Sequence, residues 1–401
     1  MQKVTKQRKK VNTAINCIAF FALGSYTIAC IYLFYMQAIQ KIVDIEAGSH
    51  LFESDLPYHI KMAVIDGWYY SLTGLLYKLF YILPGSTYLV ALFLGLIAGF
   101  TVYLTYRILN KIWITFPKYV AIFFAIALNV MMAAHLDFGH TAWYIGYESG
   151  NLWHNSTYLV MRLFACLTII WYLRCKGKYA KKLPLFDGII YSFLLILTTS
   201  VKPSFILVFL PTMAILLLID LIKGVSFKRI ALFAITVLPS LALLLIQQVI
   251  LFRGTSESGI TIDPWYTLSL HANHPKVTLI LSIAFPLLVL VFSVRKLWKD
   301  SLYLGTWIMW GIGFLQILLI TETGARSNDG NFIWGYAFCI FVLNIFSLLV
   351  YIGQLKKKED CLGPNWLQKI YFFVAGFLFL YQTFCGIQFF IWMLQGKSYW
   401  I

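Results

Sequence analysis

Carboxylate side chains are concentrated in one short stretch of this chain. Of the 16 acidic residues among 401, five lie between Asp44 and Asp66, and among these Glu53 and Asp55 are two positions apart. They follow directly after a long apolar segment, so we expect them at a membrane surface. A carboxylate fixed at such a surface can accept the proton of a sugar hydroxyl, and membrane proteins seldom gather carboxylates there without a ligand or a reaction.

The residues after Asp55 predict a helix that would hold this carboxylate in place. Ser54 can cap the helix, Pro57 is tolerated in its first turn, and its positive end would favour an ionised Asp55. Because residues i and i+2 do not share a helix face, we assign proton acceptance to Asp55 and a supporting role to Glu53. The alternative is a solvated connector whose acids only keep the loop soluble.

A second polar group precedes a later apolar segment, in the sequence Trp153-His154-Asn155. Together with His59 of the first group, these side chains could bind sugar hydroxyls, with Trp143, Trp153 or Tyr144 stacking on a sugar ring. The alternative is structural, since Asn155 or Ser156 can cap the helix that follows.

Two cations lie in short turns on the side where the acids collect. Lys202 is followed by a proline, and Arg326 lies between Glu322 and Asp329. Together they are candidates for binding an anionic lipid headgroup. Taken singly, each could instead reach toward the interface or form an ion pair.

The composition indicates an all-α polytopic membrane protein. Sixty per cent of the residues are apolar, 12% are charged, and the mean hydropathy is +0.78. Continuous apolar runs of about twenty residues can each cross a bilayer, whereas a transmembrane barrel would need alternating strands. We predict about eleven transmembrane helices in a single domain, residues 1–401, with no separate soluble domain. Outer loops are expected at about 38–86 and 135–158, the first with an interfacial helix over 68–83.

The distribution of charge predicts a cytoplasmic N-terminus. With eleven spans, 23 of the 32 Lys and Arg residues fall on the cytoplasmic side and 11 of the 16 acids fall outside. This bias toward cytoplasmic Lys and Arg explains the net charge of +16, so no nucleic-acid partner is expected.

Several kinds of chemistry lack their motifs. The chain contains no GxxxxGK[ST] loop, no HExxH and no GxSxG, and its seven cysteines form no CxxC. We therefore expect no metal site and no cofactor, although a divalent cation is optional.

The chain resembles the GT-C superfamily of membrane glycosyltransferases. The resemblance rests on Glu53-Ser-Asp55 in the first outer loop, an interfacial helix behind it, Trp153-His-Asn155 in the second loop, Arg326 late in the chain, and about eleven spans. It implies a polyprenyl-phosphate-linked sugar as donor and the first-loop acid as base. Many members carry a large C-terminal outer domain, which this sequence lacks, so recognition of the acceptor would fall to the loops.

These observations lead to one functional expectation and two alternatives. We expect an inverting glycosyltransferase of a bacterial plasma membrane that transfers a sugar from a polyprenyl-phosphate carrier to an envelope glycan or glycolipid. The first alternative is a flippase or transporter of lipid-linked sugars, which would favour buried charges such as Arg162. The second is a polysaccharide polymerase, which would be expected to use a large, Arg-rich outer loop.

Overall fold

The described part of the chain is almost entirely helical. The computed structural model describes residues 2–46, 48, 51–67, 71–112, 117–134, 152–251, 259–271, 274–357 and 361–397. The helices within these ranges are α1 (Gln2–Ala38), α2 (Ile42–Glu46), α3 (Leu56–Val64), α4 (Leu72–Tyr81), α5 (Ser86–Ile112), α6 (Lys118–Val130), α7 (Ser156–Lys176), α8 (Leu185–Val201), α9 (Ser204–Ile222), α10 (Phe227–Ala234), α11 (Leu238–Leu251), α12 (Tyr266–His271), α13 (Pro275–Ser282), α14 (Ala284–Lys299), α15 (Ser301–Leu319), α16 (Ile333–Lys357) and α17 (Asn365–Leu394). Two short strands, β1 (Ile260–Ile262) and β2 (Ile320–Glu322), pair antiparallel.

Long apolar helices make this a multi-pass membrane protein of the all-α class, as the sequence predicts. Eight segments of the described chain are long and apolar enough to cross a bilayer. They are Thr13–Ala38, Ser86–Asn110, Ser156–Lys176, Ser204–Ile222, Phe227–Ile250, Ser301–Leu319, Ile333–Lys356 and Asn365–Leu394. Helices α13 and α14 give a ninth if the bent pair counts as one span.

The structure does not give the eleven predicted spans by length and composition. Two apolar helices in predicted spans are short, because α6 has 13 residues and α8 has 17. At 1.5 Å per residue they are about 20 and 26 Å long, less than the roughly 30 Å of a hydrocarbon core. After α6 the backbone leaves the helical conformation, since Met131 is extended. Apolar composition alone does not reveal where such a helix stops.

A glutamine holds two non-helical segments together inside the bundle. The α13–α14 pair is bent by 60°. Gln382 of α17 is fully buried beside this break, where its Nε2 donates to the carbonyl oxygens of Met132 and Leu281 and its Oε1 accepts from the N–H of Phe285, each at 3.3 Å. Backbone polar groups freed by a break must find partners when water is absent. Gln382 supplies partners on both sides.

Close helix packing forms the bundle. All of the most apolar stretch of α16 is buried, so this helix forms the centre. Helix α5 packs against α1 at Gly95 and Gly99, where a Cβ would overlap Ile31 and Thr27.

The first predicted loop, which we call loop one (about 38–86), contacts the C-terminal part of the chain. Phe52 is buried with a left-handed backbone at φ 51°, and its N–H donates to the carbonyl oxygen of Gly396 at 3.3 Å. Three residues later Asp55 begins α3, the predicted helix, and the predicted segment at 68–83 contains α4. The exposed face of α4 carries Leu75 and Leu79, as an interfacial helix requires. Its position in a bilayer stays a prediction.

Candidate functional site

One cavity brings together most of the residues predicted from the sequence. Its volume is about 520 Å³, and it lies where α7, α9 and α16 begin, at the end of the bundle opposite the basic C-terminus of α7. The predicted residues in its wall are Asp55, His59, His154, Asn155, Lys202 and Arg326. Residues from positions 55 to 334 line this one space, so the fold joins what the sequence separates.

Asp55 is held between the first loop and the start of α7. Its N–H donates to the carbonyl oxygen of His154 at 3.0 Å, while its Oδ1 lies 3.3 Å from Nε2 of the His154 ring. Its Oδ2 accepts from Nδ2 of Asn155 at 2.6 Å. The prediction that Ser54 caps α3 is wrong, because Asp55 occupies the N-cap position; the Oγ of Ser54 accepts from the N–H of Leu56 at 3.3 Å.

Asn155 performs the capping role and the site role together. As the N-cap of α7, its Oδ1 accepts from the N–H of Tyr158 at 2.8 Å and from Oγ1 of Thr157 at 2.7 Å. Its amide nitrogen then points to Asp55. The capping interpretation of this residue is therefore confirmed, and the amide nitrogen contacts the Asp55 carboxylate, while a hydrogen bond to a sugar hydroxyl stays a prediction.

Lys202 presents a charge without a carboxylate partner. Its Nζ donates to Oγ1 of Thr157 at 3.3 Å and lies 5.2 Å from the ring centroid of Trp334. No Asp or Glu of the described chain comes within 4 Å of it. Burial lowers the pKa of Lys202 to about 8. A half-buried ammonium in this setting can receive an anion.

Arg326 differs from Lys202, because two carboxylates already hold it. Its Nε lies 3.1 Å from Oε1 of Glu322, and its Nη2 lies 3.4 Å from Oδ2 of Asp329. Asn331 completes the network by donating Nδ2 to Oε2 of Glu322 at 2.6 Å. The interpretation of Arg326 as an ion-pair partner is therefore confirmed, and its side chain also lines the cavity.

The surroundings lower the pKa values of Asp55 and His59. A lower pKa favours the charged form of the carboxylate and the neutral form of the imidazole. Burial acts to raise the pKa of Asp55, but His154, His59 and Asn155 outweigh it and leave the pKa below its usual range. Burial lowers the pKa of His59 to about 4, so this imidazole is neutral at physiological pH. Its Nδ1 lies 3.1 Å from Oγ of Ser156. The wall therefore carries an ionised carboxylate beside a neutral imidazole.

Four helices direct their N-termini at the cavity. The starts of α3, α7, α9 and α16 contribute Asp55, Asn155, Ser204 and Trp334 to its wall. A helix N-terminus carries roughly half a positive charge and unpaired N–H groups. Their convergence makes the cavity favourable for a negative group.

Two predicted site residues lie outside the cavity wall. Glu53 is half-buried in the loop before α3. Trp153 is fully buried, with its ring 4.5 Å from that of Phe390 and its carbonyl oxygen accepting from Gln37, so its stacking partner is protein. Most of the second loop, residues 135–151, lies outside the described residues.

The sequence did not indicate several other wall residues. Glu322, Asp329 and Asn331 surround Arg326, and the acids on both sides of that arginine were the available signal. No feature of the sequence indicated that Trp334 or Tyr58 would line the cavity. In the described part of the chain, no three His, Cys, Asp or Glu side chains cluster as metal ligands.

The chain matches no protein-family model, and no curated protein matches it.

Proposed function

We propose that this protein is a membrane glycosyltransferase that takes a sugar from a polyprenyl-phosphate carrier at the outer face of a bacterial plasma membrane. The acceptor would be an envelope glycan or glycolipid. The observation that carries the proposal is a single cavity in which an ionised carboxylate and a cation without a carboxylate partner meet an apolar wall.

The apolar wall suits the lipid part of such a donor. Leu207 of α9 and Leu244 of α11 line the cavity, and both helices belong to segments able to span a bilayer. The neighbouring Leu245 and Ile246 are exposed on the outside of α11. An amphiphile could lie with its charged head in the cavity and its chain along these helices.

Lys202 is the proposed phosphate ligand. Its ammonium would bind the phosphate before transfer and stabilise the charge that the leaving phosphate gains. Arg326 would contribute only after loosening its contacts to Glu322 or Asp329. The helix N-termini around the cavity add to the positive potential.

Asp55 is the proposed general base. As the acceptor oxygen bonds to the anomeric carbon, the bond from that carbon to the phosphate oxygen breaks, and the acceptor proton passes to the carboxylate. A lowered pKa keeps Asp55 ionised and ready, although it also makes the carboxylate a weaker base. Attack from the side opposite the phosphate would invert the anomeric configuration.

Transport of a lipid-linked sugar remains the alternative function, but Arg162 gives it little support. This arginine is fully buried in α7, with its guanidinium carbon 3.5 Å from the ring centroid of Phe341. It does not line the cavity. A charge enclosed in this way is better suited to packing than to a substrate path.

The GT-C architecture is part of the same proposal. Eleven crossings are reached if the bent pair α13–α14 and the short helices α6 and α8 each cross the bilayer. This count keeps the N-terminus inside and the C-terminus outside. Cysteines placed at Asp66 and Lys397 should then react with an impermeant reagent from outside, and one at Lys223 should not.

A transfer assay tests the function. The purified protein in lipid vesicles would be given decaprenyl phosphate carrying labelled hexoses or pentoses, together with envelope extract. We expect release of decaprenyl phosphate with at least one donor, and its loss in Lys202→Ala but not in Lys276→Ala, an outer cation away from the cavity. No release with any donor would contradict the proposal.

A further inference from the structure

Three carboxylates line the cavity, and their oxygens differ in what they contact. Asp55 uses one oxygen for His154 and the other for Asn155. Glu322 uses Oε1 for Arg326 and Oε2 for Asn331, and only 7% of its side chain is exposed. Each oxygen of these two carboxylates therefore already has a protein contact, and in the proposed transfer Asp55 accepts the acceptor proton through a lone pair that these contacts leave open.

Asp329 is different, because both of its side-chain contacts fall on one oxygen. Its Oδ2 lies 3.4 Å from Nη2 of Arg326 and 3.4 Å from Nδ2 of Asn331. Within the described chain, Oδ1 makes no hydrogen bond and no ion pair. The side chain is also the most exposed of the three, at 44% against 35% for Asp55.

We propose that Oδ1 of Asp329 accepts a hydrogen bond from a sugar hydroxyl of the substrate, while Oδ2 stays on Arg326. This inference rests on the proposed function and names a binding residue that neither the motifs nor the resemblance indicates. Arg326 would then act mainly by orienting Asp329, with Glu322 holding the arginine from the other side.

The electrostatic surroundings agree with a hydroxyl rather than a second anion at this wall. A hydroxyl is a donor that a carboxylate can accept, whereas a phosphate oxygen would be repelled by Asp329 and Glu322 together. Burial and the carboxylates of Glu322 and Asp55 raise the pKa of Asp329, although Arg326 opposes the shift. The phosphate is therefore assigned to Lys202 and the sugar to Asp329.

Two probes that differ only in the sugar separate these roles. Equilibrium binding to the full protein in nanodiscs would be measured for decaprenyl phosphate and for decaprenyl phosphate carrying the best-bound sugar of a hexose and pentose panel. Asp329→Asn can keep an oxygen on Arg326 while replacing Oδ1 with an amide NH2 group, which donates hydrogen bonds. Asp329→Ala removes both oxygens. Asp263→Asn changes an exposed acid outside the cavity and serves as the control.

We expect wild-type protein to bind the sugar-bearing probe more tightly than decaprenyl phosphate alone. Asp329→Ala should lose about 10–100-fold in affinity for the sugar-bearing probe, the cost of a hydrogen bond to a charged group, and keep its affinity for decaprenyl phosphate. Asp329→Asn should lose less, in the same direction, and it carries the test if the alanine variant does not fold.

Three results would overturn the assignment. Unchanged binding of both probes in the Asp329 variants would remove its role in recognising the sugar. Equal weakening of both probes would mean that Asp329 acts through Arg326 on the phosphate. If neither probe bound the wild-type protein, the proposed donor class would be wrong and the inference would fall with it.

Discussion

Asp55 and His154 contact each other twice, once through the backbone and once through the side chains. The N–H of Asp55 donates to the carbonyl oxygen of His154 at 3.0 Å, and the His154 ring lies 3.3 Å from the Asp55 carboxylate. The backbone contact fixes the distance between two loops that are a hundred residues apart. The backbone contact therefore helps to keep the two side chains close, in addition to the charge of the carboxylate.

This double contact predicts that Asp55→Asn will keep the fold and lose activity. The amide preserves size, and the backbone bond to His154 remains. Without the proton acceptor, turnover should fall by about 10²–10⁴, while decaprenyl phosphate should still bind. Glu53→Gln, away from the cavity wall, should cost less, and Asp66→Asn serves as the control in the same loop. Normal turnover in Asp55→Asn would remove this residue from the mechanism.

The lowered pKa of Lys202 predicts that phosphate binding depends on pH. Below about pH 8 the ammonium is charged, and above it the charge is lost, so affinity for decaprenyl phosphate should fall as the pH rises past 8. Bound phosphate favours the charged form, which moves the fall upward rather than downward. The expected loss is about tenfold. Lys202→Arg keeps its charge throughout and should give a flat profile; parallel profiles for the two proteins would contradict the assignment.

The contact between Gly396 and Phe52 predicts that Gly396→Ala will disturb loop one. A Cβ at Gly396 would lie 2.8 Å from the Phe52 ring, at a backbone φ of +73°. Gly85 has the same φ and no atom within 4 Å of such a Cβ, so Gly85→Ala shares the backbone cost of about 1 kcal/mol but not the clash. Gly396→Ala should lose about 1–3 kcal/mol more. Thermal unfolding in detergent compares the two, and equal losses would rule out the clash.

Gln382 should be required for stability although it does not line the cavity. Gln382→Leu would leave the N–H of Phe285 and three carbonyl oxygens without this partner in a buried setting. Each orphaned group costs about 1–3 kcal/mol. Gln388 lies on the same helix, half-buried and with no hydrogen bond from its side chain in the described structure, so Gln388→Leu is the control. Equal melting temperatures for the two variants would show that the break does not depend on Gln382.

Hydropathy was sufficient to predict the class of fold but not its interruptions. Apolar composition identifies long helices, whereas the early end of α6 and the bend between α13 and α14 are contacted by Gln382, which is distant in sequence. In the sequence, a single glutamine in an apolar segment looks the same whether its side chain packs against a continuous helix or bonds to the backbone of two interrupted helices. Its role depends on tertiary contacts that periodicity does not encode.

The candidate site was predictable where polar residues interrupted apolar sequence. Asp55, Asn155, Lys202 and Arg326 all lie at helix starts or turns, and the cavity brings them together. The ion pairs of Arg326 had a local signal in Glu322 and Asp329, but nothing local indicates that no carboxylate of the described chain lies within 4 Å of Lys202. Trp153 shows that residue type alone does not identify a stacking partner, because an indole near a helix start can stack on a sugar or, as here, on another protein side chain.

The apolar wall at Leu207 and Leu244 has a practical consequence for handling the protein outside its membrane. A surface that accepts a hydrocarbon chain beside a charged head does not distinguish a carrier lipid from a surfactant of similar shape. Long-chain sugar detergents combine an alkyl tail with hydroxyl groups and so resemble both parts of the proposed donor. Micelles of this kind should compete with the donor for the cavity, and activity lost on extraction should return on transfer into lipid.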